Sequence, residues 1–389
     1  MIYLDNSSTT PIDPEVLDAM LPYLKEEYGN PSSRHYTLAV NAEKAVEKAR
    51  EQVASLINAD PREIIFTSGA SESNNFIIKG VADYQKYYEE KGNHIITSTV
   101  EHKSIIQTCK FLNGDGFWNK PDVASSSRLL KKKTNIKKID RGYEVTFLPV
   151  NEYAQVSNDA FKDSIKENTI LASFIWGNNE IGSLNDIKTL GTIAKEHDIL
   201  FHSDATQVLG KIDIDVKNLP VDFLSFSAHK IYGPKGIGAA FIRQSALADY
   251  KITSLIHGGQ QENGYRAGTS PVHNIVGFGK ACEIAKRDMS EYIQKITKLE
   301  IEAKKVLLEK YPGIQFLGDP DNHIPGVIGM LIPNIVNEMF IKNLADKVAI
   351  SAGSACGIGE PSYVIKEATQ NSTNNNFIRV AISKFNYIN

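Results

Sequence analysis

Cysteine is scarce in this sequence, since Cys109, Cys282 and Cys356 are the only three among 389 residues. They lie too far apart for the paired CxxC spacing of a zinc site, and they suggest no disulfide framework. We therefore predict no metal site. A reduced compartment fits this cysteine content best, and we take it to be the cytoplasm.

Long apolar runs are also lacking. No stretch approaches the ~18 apolar residues of a membrane-spanning helix, and residues 1–11 have no basic start followed by an apolar core. The net charge of −3 is nearly neutral, so the whole composition gives no reason to expect a nucleic acid or an anionic membrane as partner. We predict a protein without a membrane partner.

What the sequence does contain is a series of short apolar runs, each followed by a helical pattern. This alternation predicts an α/β fold with a mainly parallel sheet. A helix is predicted over residues 41–57, and two long helical patterns, residues 274–288 and 290–311, follow a domain boundary near residue 260. The predicted strands are residues 63–66, 94–97, 144–150, 169–176, 199–202, 222–226 and 237–242.

Small and hydroxyl-bearing residues follow the first of these strands. Residues 67–71 (TSGAS) lead into a helix that we expect to begin near Glu72. Backbone N–H groups at the start of a helix bind anions. The same residues also fit an ordinary helix cap, so this segment alone leaves both interpretations open.

Two later segments add a carboxylate and an amine. Asp204 follows an apolar strand, where α/β proteins place ligands, although an aspartate there is also a common helix cap. Lys230 follows another apolar run, and it is either a solvated loop residue or a pocket amine able to form a Schiff base with an aldehyde. An anion cradle, a carboxylate for a ring nitrogen and such an amine together meet the requirements of pyridoxal phosphate.

Eight motifs then occur in a characteristic order: residues 3–11 (YLDNSSTTP), 29–33 (GNPSS), 67–74 (TSGASESN), 178–182 (NNEIG), 204–207 (DATQ), 227–236 (SAHKIYGPKG), 266–269 (RAGT) and 351–356 (SAGSAC). Over nearly the whole chain they resemble class V aminotransferases of fold type I, and within them the NifS/IscS-like cysteine desulfurases. The resemblance implies a large domain, residues 15–260, with a mainly parallel seven-stranded sheet. Residues 1–14 and 261–389 would form a smaller α+β domain.

The resemblance also assigns roles to individual residues. Pyridoxal phosphate would form an aldimine with Lys230, the principal base, while Asp204 would pair with the pyridinium nitrogen and Gln207 with the ring hydroxyl. His102 would stack on the ring; alternatively, His102 is a polar residue packed in the protein without a role in cofactor binding. The phosphate would be held by Ala70, Ser71, Ser227, His229 and, from the other subunit of a homodimer, Thr269; the carboxylate of the substrate L-cysteine would be held by Asn179 and Arg379.

Cys356 lies among small residues, which is typical of an exposed loop, and its thiolate is predicted to take the sulfur as a persulfide. Cys109 and Cys282 lie in helical, apolar contexts and are given no role. The predicted activity is a sulfurtransferase reaction in which L-cysteine becomes L-alanine and the sulfur passes to an acceptor protein. The alternatives are another class V reaction, such as selenocysteine lyase or an aminotransferase, and a partner-dependent sulfur-relay or scaffold protein.

Three features depart from the family pattern. Only three residues separate Cys356 from Glu360, whereas similar desulfurases have a longer loop, and the sequence ends at Asn389, where they continue through another helix. Residues 118–141 carry eight Lys or Arg against two Asp, which fits a solvated surface loop or an acceptor-binding element, with tRNA or DNA contact as a further alternative. The sequence leaves the sulfur destination open among iron–sulfur cluster assembly, tRNA thiolation and DNA phosphorothioation.

Overall fold

The computed structural model describes residues 1–33, 35–115, 139–248, 251–353, 362–370 and 375–387. After the short strand β1 (Ile2–Tyr3), seven strands form one sheet: β2 (Ile64–Thr67), β3 (His94–Ser98), β4 (Glu144–Leu148), β5 (Thr169–Ile175), β6 (Leu200–Asp204), β7 (Phe223–Ser227) and β8 (Gly238–Ile242). Their order across the sheet is β2-β8-β7-β6-β5-β3-β4. Each predicted strand therefore exists, with ends within two residues of the prediction.

Only β8 runs against its neighbours in this sheet, pairing antiparallel with β2 and β7. The other pairs, from β7 through β6, β5 and β3 to β4, are parallel. Every residue of β5 is buried, as expected for a central strand covered by helices on both faces. The predicted mainly parallel α/β architecture is confirmed.

Helices cover the sheet and extend beyond it. The described helices are α1 (Pro14–Lys25), α2 (Thr37–Leu56), α3 (Ala70–Tyr87), α4 (Lys103–Leu112), α5 (Asn158–Ser164), α6 (Ile187–Glu196), α7 (Gln244–Ala248), α8 (Val272–Lys310), α9 (Asn337–Leu344) and α10 (Tyr363–Thr369). Helix α2, which confirms the helix predicted over residues 41–57, packs its buried face against α8. The two helices approach closely at Gly279, where an added Cβ would lie 2.6 Å from the Cα of Ala49. In the part of the chain described here, no helix is both long and apolar enough to cross a bilayer.

The prediction of two helices after residue 272 is wrong, because α8 is continuous over 39 residues. Its first half packs with Phe278 and Ile284 in the main core, and its second half packs with Ile296 and Leu299 in a separate apolar cluster. The buried face of α8 therefore changes its packing partner in the middle of the helix. No glycine or proline interrupts the backbone there, so the change of pattern does not end the helix.

Two smaller sheets complete the fold. Strand β9 (Gln315–Leu317) and strand β12 (Phe377–Ala381) flank β10 (Val327–Leu331) in an antiparallel sheet, and β11 (Val348–Ala349) pairs in parallel with β1. The N-terminal strand thus lies beside late segments of the chain. The division into domains of residues 15–260 and of 1–14 with 261–389 stays a prediction.

Candidate active site

A cleft of about 550 Å³ lies at the carboxyl ends of the central parallel strands. Ten of the predicted site residues line it: Ala70, Ser71, His102, Asn179, Asp204, Gln207, Ser227, His229, Lys230 and Arg379. Thr269 does not line this cleft and is exposed. Cys356 and most of the basic insertion, residues 118–138, lie outside the described residues. The fold therefore brings together all the described candidates except Thr269.

The turn between β2 and α3 forms the anion-binding wall of the cleft. Helix α3 begins at Ala70, two residues before the start that the sequence predicts near Glu72, and its first N–H groups have no partner within the helix. The turn packs closely on β8, because a Cβ on Gly238 would lie 2.7 Å from the Cα of Gly69. Only a glycine at position 238 leaves room for this contact, so the turn is held rigidly with its N–H groups at the cleft.

Two further groups complete this wall. Ser227 ends β7, and its hydroxyl lies next to Gly69. A Cβ atom built on that glycine would be 3.5 Å from the hydroxyl oxygen. The Nδ1 atom of His229 lies 3.1 Å from the Thr9 hydroxyl. Burial first, and then the positive charges of Lys230, Lys235 and Lys211, lowers the pKa of His229 to about 4. Its imidazole is therefore neutral at pH 7 and offers a single N–H to an anion.

The carboxylate of Asp204 lies at the end of β6, buried and fixed by two donors. Its Oδ1 accepts from the Thr206 N–H at 3.0 Å, and its Oδ2 accepts from the Asn74 amide at 2.9 Å. The Asn74 amide also donates to the Ser104 hydroxyl at 2.9 Å, and that hydroxyl lies 2.8 Å from Nδ1 of His102. One hydrogen-bond network thus orients both Asp204 and the His102 ring.

The sequence prediction missed Asn74 and Ser104. Asn74 belongs to the motif of residues 67–74, and Ser104 follows His102 by two positions, but neither signal indicates a partner. Burial lowers the pKa of His102, opposed by the Asp204 carboxylate and reinforced by Lys230. A neutral ring held from its Nδ1 side is suited to lie against a flat ligand.

The Lys230 amine is held by the N-terminal segment of the chain. Its Nζ donates to the carbonyl oxygens of Ser7, at 2.5 Å, and Ser8, at 2.7 Å. The Gln207 amide donates to the same Ser7 oxygen at 2.9 Å. Gln207 and Lys230 therefore share the Ser7 carbonyl oxygen as acceptor, which the sequence analysis did not predict. The motif of residues 3–11 supplies the backbone carbonyls that position these two side chains.

Arg379 is 1% exposed and carries the positive charge of the opposite wall. Its Nη2 donates to Asp5 Oδ1 at 2.6 Å and to the Ser8 hydroxyl at 2.7 Å, while Nη1 donates to the Asn179 carbonyl at 2.8 Å. Its Nε is buried and has no acceptor among the described residues. The guanidinium thus holds Asn179 and the N-terminal segment in place, and its Nε–H has no acceptor among the described residues.

Cys109 and Cys282 are buried, and burial raises the pKa of both thiols. Neither is in the cleft. Their environment is that of small core residues, in agreement with the sequence analysis. A reactive thiolate in the chain would therefore have to be Cys356.

Comparison with known proteins places these features in context. The family model described as aminotransferase class V matches residues 2–117 and 133–388. Over 367 residues the chain is 41% identical to the cysteine desulfurase IscS of Methylococcus capsulatus, covering 94% of this chain and 83% of that protein. It is similar to the solved structure of a NifS-like protein, with a TM-score of 0.85, 31% identity and coverage of 99% and 94% of the two chains.

A second solved structure is that of SspA in complex with cysteine. Its TM-score is 0.81, its sequence is 33% identical, and the match covers 100% of both chains. The similarity therefore extends over the whole of the cleft described above.

Proposed function

Since the chain belongs to the class-V aminotransferase family, among its cysteine desulfurases, we propose that the cleft binds pyridoxal phosphate and L-cysteine and that Cys356 receives the sulfur. In the overall reaction the Cβ–S bond of L-cysteine breaks, a hydrogen replaces sulfur on Cβ to give L-alanine, and a new S–S bond leaves Cys356 as a persulfide. The sulfur moves between two thiols, so the step requires no external oxidant.

One observation carries this proposal: separate segments of the chain converge on a single cleft with the donor set that the cofactor needs. An anion cradle, a buried carboxylate and an amine line the same space. The cradle is made of backbone N–H groups, a hydroxyl and a neutral imidazole, which suits a phosphate. When bound, pyridoxal phosphate acts as an electron sink that labilises bonds at the substrate carbons.

The residues of the chain divide the remaining work. We assign phosphate binding to Ala70, Ser71, Ser227 and His229. Asp204, whose oxygens are fixed by Asn74 and Thr206, would keep a proton on the ring nitrogen, and His102 would lie against the ring. Gln207, whose amide donates to the Ser7 carbonyl, would be the partner of the ring hydroxyl.

Lys230 is the base in this proposal. The Ser7 and Ser8 carbonyls accept hydrogen bonds from its Nζ, and Lys230 lines the cleft, where the amine would take or return a proton at the substrate carbons. Arg379 and Asn179 bind the substrate carboxylate. Their mutual hydrogen bond couples the two groups, so that the carboxylate sets the orientation of the substrate.

We further propose a homodimer in which Thr269 reaches the phosphate in the partner's cleft. Its exposure, and its position outside the cleft of its own subunit, support this role. An acceptor protein in the cytoplasm would then take the sulfur from Cys356. The basic insertion of residues 118–141 is a candidate docking element for that acceptor, with nucleic-acid-linked machinery as the alternative occupant.

The test is product analysis with the purified chain, added pyridoxal phosphate, L-cysteine and a thiol reductant. We expect alanine and sulfide in equal amounts, since each turnover releases one of each. In Cys356→Ser the rates of alanine and sulfide formation should both fall by about 100-fold or more, because the sulfur then has no acceptor.

Other outcomes favour the rival activities. Retained turnover in Cys356→Ser, with selenocysteine preferred over cysteine, would favour a selenocysteine lyase. Amino-group transfer to a 2-oxo acid would favour an aminotransferase. A cofactor-loaded chain that stays inert until a partner is added would favour the relay or scaffold role.

A further inference from the structure

Residues 258–269, called the Thr269 loop below, contain two consecutive residues in an unfavourable backbone conformation. Glu262 has φ 48° and ψ 43°, and Asn263 has φ 55° and ψ 31°. Both lie in the left-handed region, which is unfavourable for residues that carry a Cβ atom. Two such residues in succession keep this conformation only if contacts with the rest of the protein hold them there.

An ion pair between Glu262 and Arg50 of α2 supplies such a contact. Arg50 donates from Nη1 and Nη2 to the two carboxylate oxygens of Glu262, at 2.7 and 2.9 Å. The side chains of Arg50 and Glu262 are only 12% and 5% exposed, so solvent ions screen the pair little. Two parallel hydrogen bonds fix direction as well as distance. The pair therefore holds the strained part of the Thr269 loop against α2.

The same carboxylate joins the loop to strand β2, which leads into the anion-binding turn. Glu262 Oε2 accepts from the Phe66 N–H at 2.9 Å, and Arg50 Nη1 also donates to the Ile64 carbonyl at 2.7 Å. The guanidinium carbon of Arg50 lies 4.8 Å from the centre of the Phe66 ring. The loop, the helix and the strand thus meet at Glu262.

Hydrogen bonds within the loop extend this fixed geometry to Thr269. Gln261, which precedes Glu262, accepts at Oε1 from the Gly268 N–H at 3.1 Å. The Tyr265 N–H donates to the Glu262 carbonyl at 3.0 Å. Because Gly268 directly precedes Thr269, the position of Thr269 depends on the backbone conformation at Glu262.

A second ion pair anchors the loop close to Thr269. Arg266 Nε donates to Glu72 Oε1 at 2.9 Å, and Glu72 Oε2 accepts from the Ser68 N–H at 2.9 Å. Glu72 and Ser68 line the cleft of their own subunit, whereas Thr269 is exposed and does not line it. The loop is therefore anchored at Glu262 and at Arg266, and Thr269 remains available at the surface.

We propose that Glu262 is a positioning residue for the cofactor site of the other subunit. Its ion pair with Arg50 holds the Thr269 loop in the conformation that presents the Thr269 hydroxyl to the phosphate in the partner's cleft. The inference rests on the proposed function, in which the chain forms a homodimer. Twofold symmetry makes the arrangement reciprocal, so each cleft depends on the Glu262 of the opposite subunit.

Heterodimers of the full-length chain separate an effect on the partner from an effect within the same subunit. Two differently tagged chains are co-expressed, and one of them carries Lys230→Ala. The visible absorbance of pyridoxal phosphate bound to Lys230 then reports on the cleft of the other chain alone. Titration of the cofactor-free heterodimer with pyridoxal phosphate gives the dissociation constant of this reporting cleft.

The placement of Glu262→Gln decides the outcome. On the Lys230→Ala chain, Glu262→Gln should raise the dissociation constant of the reporting cleft about tenfold, because the hydrogen bond from Thr269 to the phosphate is lost. On the reporting chain, Glu262→Gln should leave the constant within about twofold of wild type, since the amide oxygen can still accept from the Phe66 N–H.

Two further variants on the Lys230→Ala chain complete the test. Thr269→Ala should have the same effect as Glu262→Gln, and the double variant should show no further loss, because Glu262 acts through Thr269. Glu47→Gln is the matched control. Glu47 is an exposed carboxylate of α2 that also accepts from Arg50, at 3.2 Å, so its replacement should leave the dissociation constant unchanged.

An effect of Glu262→Gln confined to its own chain, or one that adds to that of Thr269→Ala, would overturn the positioning role and leave the proposed function intact. The same conclusion would follow if Thr269→Ala weakened binding and Glu262→Gln did not. If Thr269→Ala had no effect on the reporting cleft, or if the wild-type chain were a monomer in solution, the proposed homodimer would fail, and this inference with it.

Discussion

Replacing Lys230 with alanine is expected to lower kcat/KM for alanine formation from L-cysteine by at least ~10³-fold. In the proposed reaction this amine would both hold the cofactor covalently and move protons at the substrate carbons. No other lysine donates to the Ser7 and Ser8 carbonyls in the described structure, so none is positioned to replace it. The measurement is steady-state alanine release at saturating cofactor.

The same variant should still bind pyridoxal phosphate, because the phosphate cradle and Asp204 are unchanged. After borohydride reduction and denaturation, however, the variant should release the cofactor, whereas the wild type should retain it through a reduced C–N bond to Lys230. Lys217→Ala, at an exposed position remote from the cleft, is the control and should keep wild-type turnover. Activity within tenfold of wild type in Lys230→Ala would contradict the assignment of the base.

The second large effect is expected at Arg379. In Arg379→Lys the ammonium cannot reproduce the planar fork, so kcat/KM should fall by about 10²-fold or more, mainly through a higher KM for L-cysteine. The Asp5 carboxylate, the Ser8 hydroxyl and the Asn179 carbonyl also lose a donor each. Because the positive charge is kept while the hydrogen bonds of a partly buried ion pair are altered, we expect a loss of about 1–2 kcal/mol in the free energy of unfolding.

Asp5→Asn separates these two contributions. It removes the ion pair but leaves the guanidinium at the cleft, so stability should fall while KM changes much less than in Arg379→Lys. Denaturant unfolding and initial-rate kinetics on both variants are the measurements. An equal rise in KM in the two variants would mean that Arg379 acts by holding the N-terminal segment, and not by binding the substrate.

Strand positions and the location of the cleft follow well from the sequence. Parallel strands bring their carboxyl ends to one edge, so Asp204 at the end of β6 and Lys230 after β7 are placed together by the topology alone. The apolar runs identify these strands because their buried positions are continuous. The resemblance to a known family then supplies the roles, which the geometry of the cleft accommodates.

Contacts between segments that are distant in the chain could not be predicted from the sequence. The bond from Asn74 to Asp204 spans 130 residues, and its donor lies on the face of a helix that gives no sign of its partner. Lys211 directly follows Gly210, and nothing in that local sequence indicates that residues of α8 and of the N-terminal segment line the same cavities as its side chain. The continuity of α8 could not be predicted for a similar reason. Its two halves pack in different apolar clusters, so the spacing of apolar residues changes along the helix and suggests two separate helices.

The most direct test of the central claim is a single turnover without reductant. Cofactor-loaded chain is mixed with one equivalent of L-cysteine and quenched, alanine is quantified, and the peptides containing Cys109, Cys282 and Cys356 are weighed by mass spectrometry. We predict about one alanine for each sulfur atom gained by Cys356, and no gain on the two buried cysteines, whose thiol pKa values are raised by burial. Alanine formed with Cys356 unmodified and sulfide free in solution would contradict the proposed sulfur transfer.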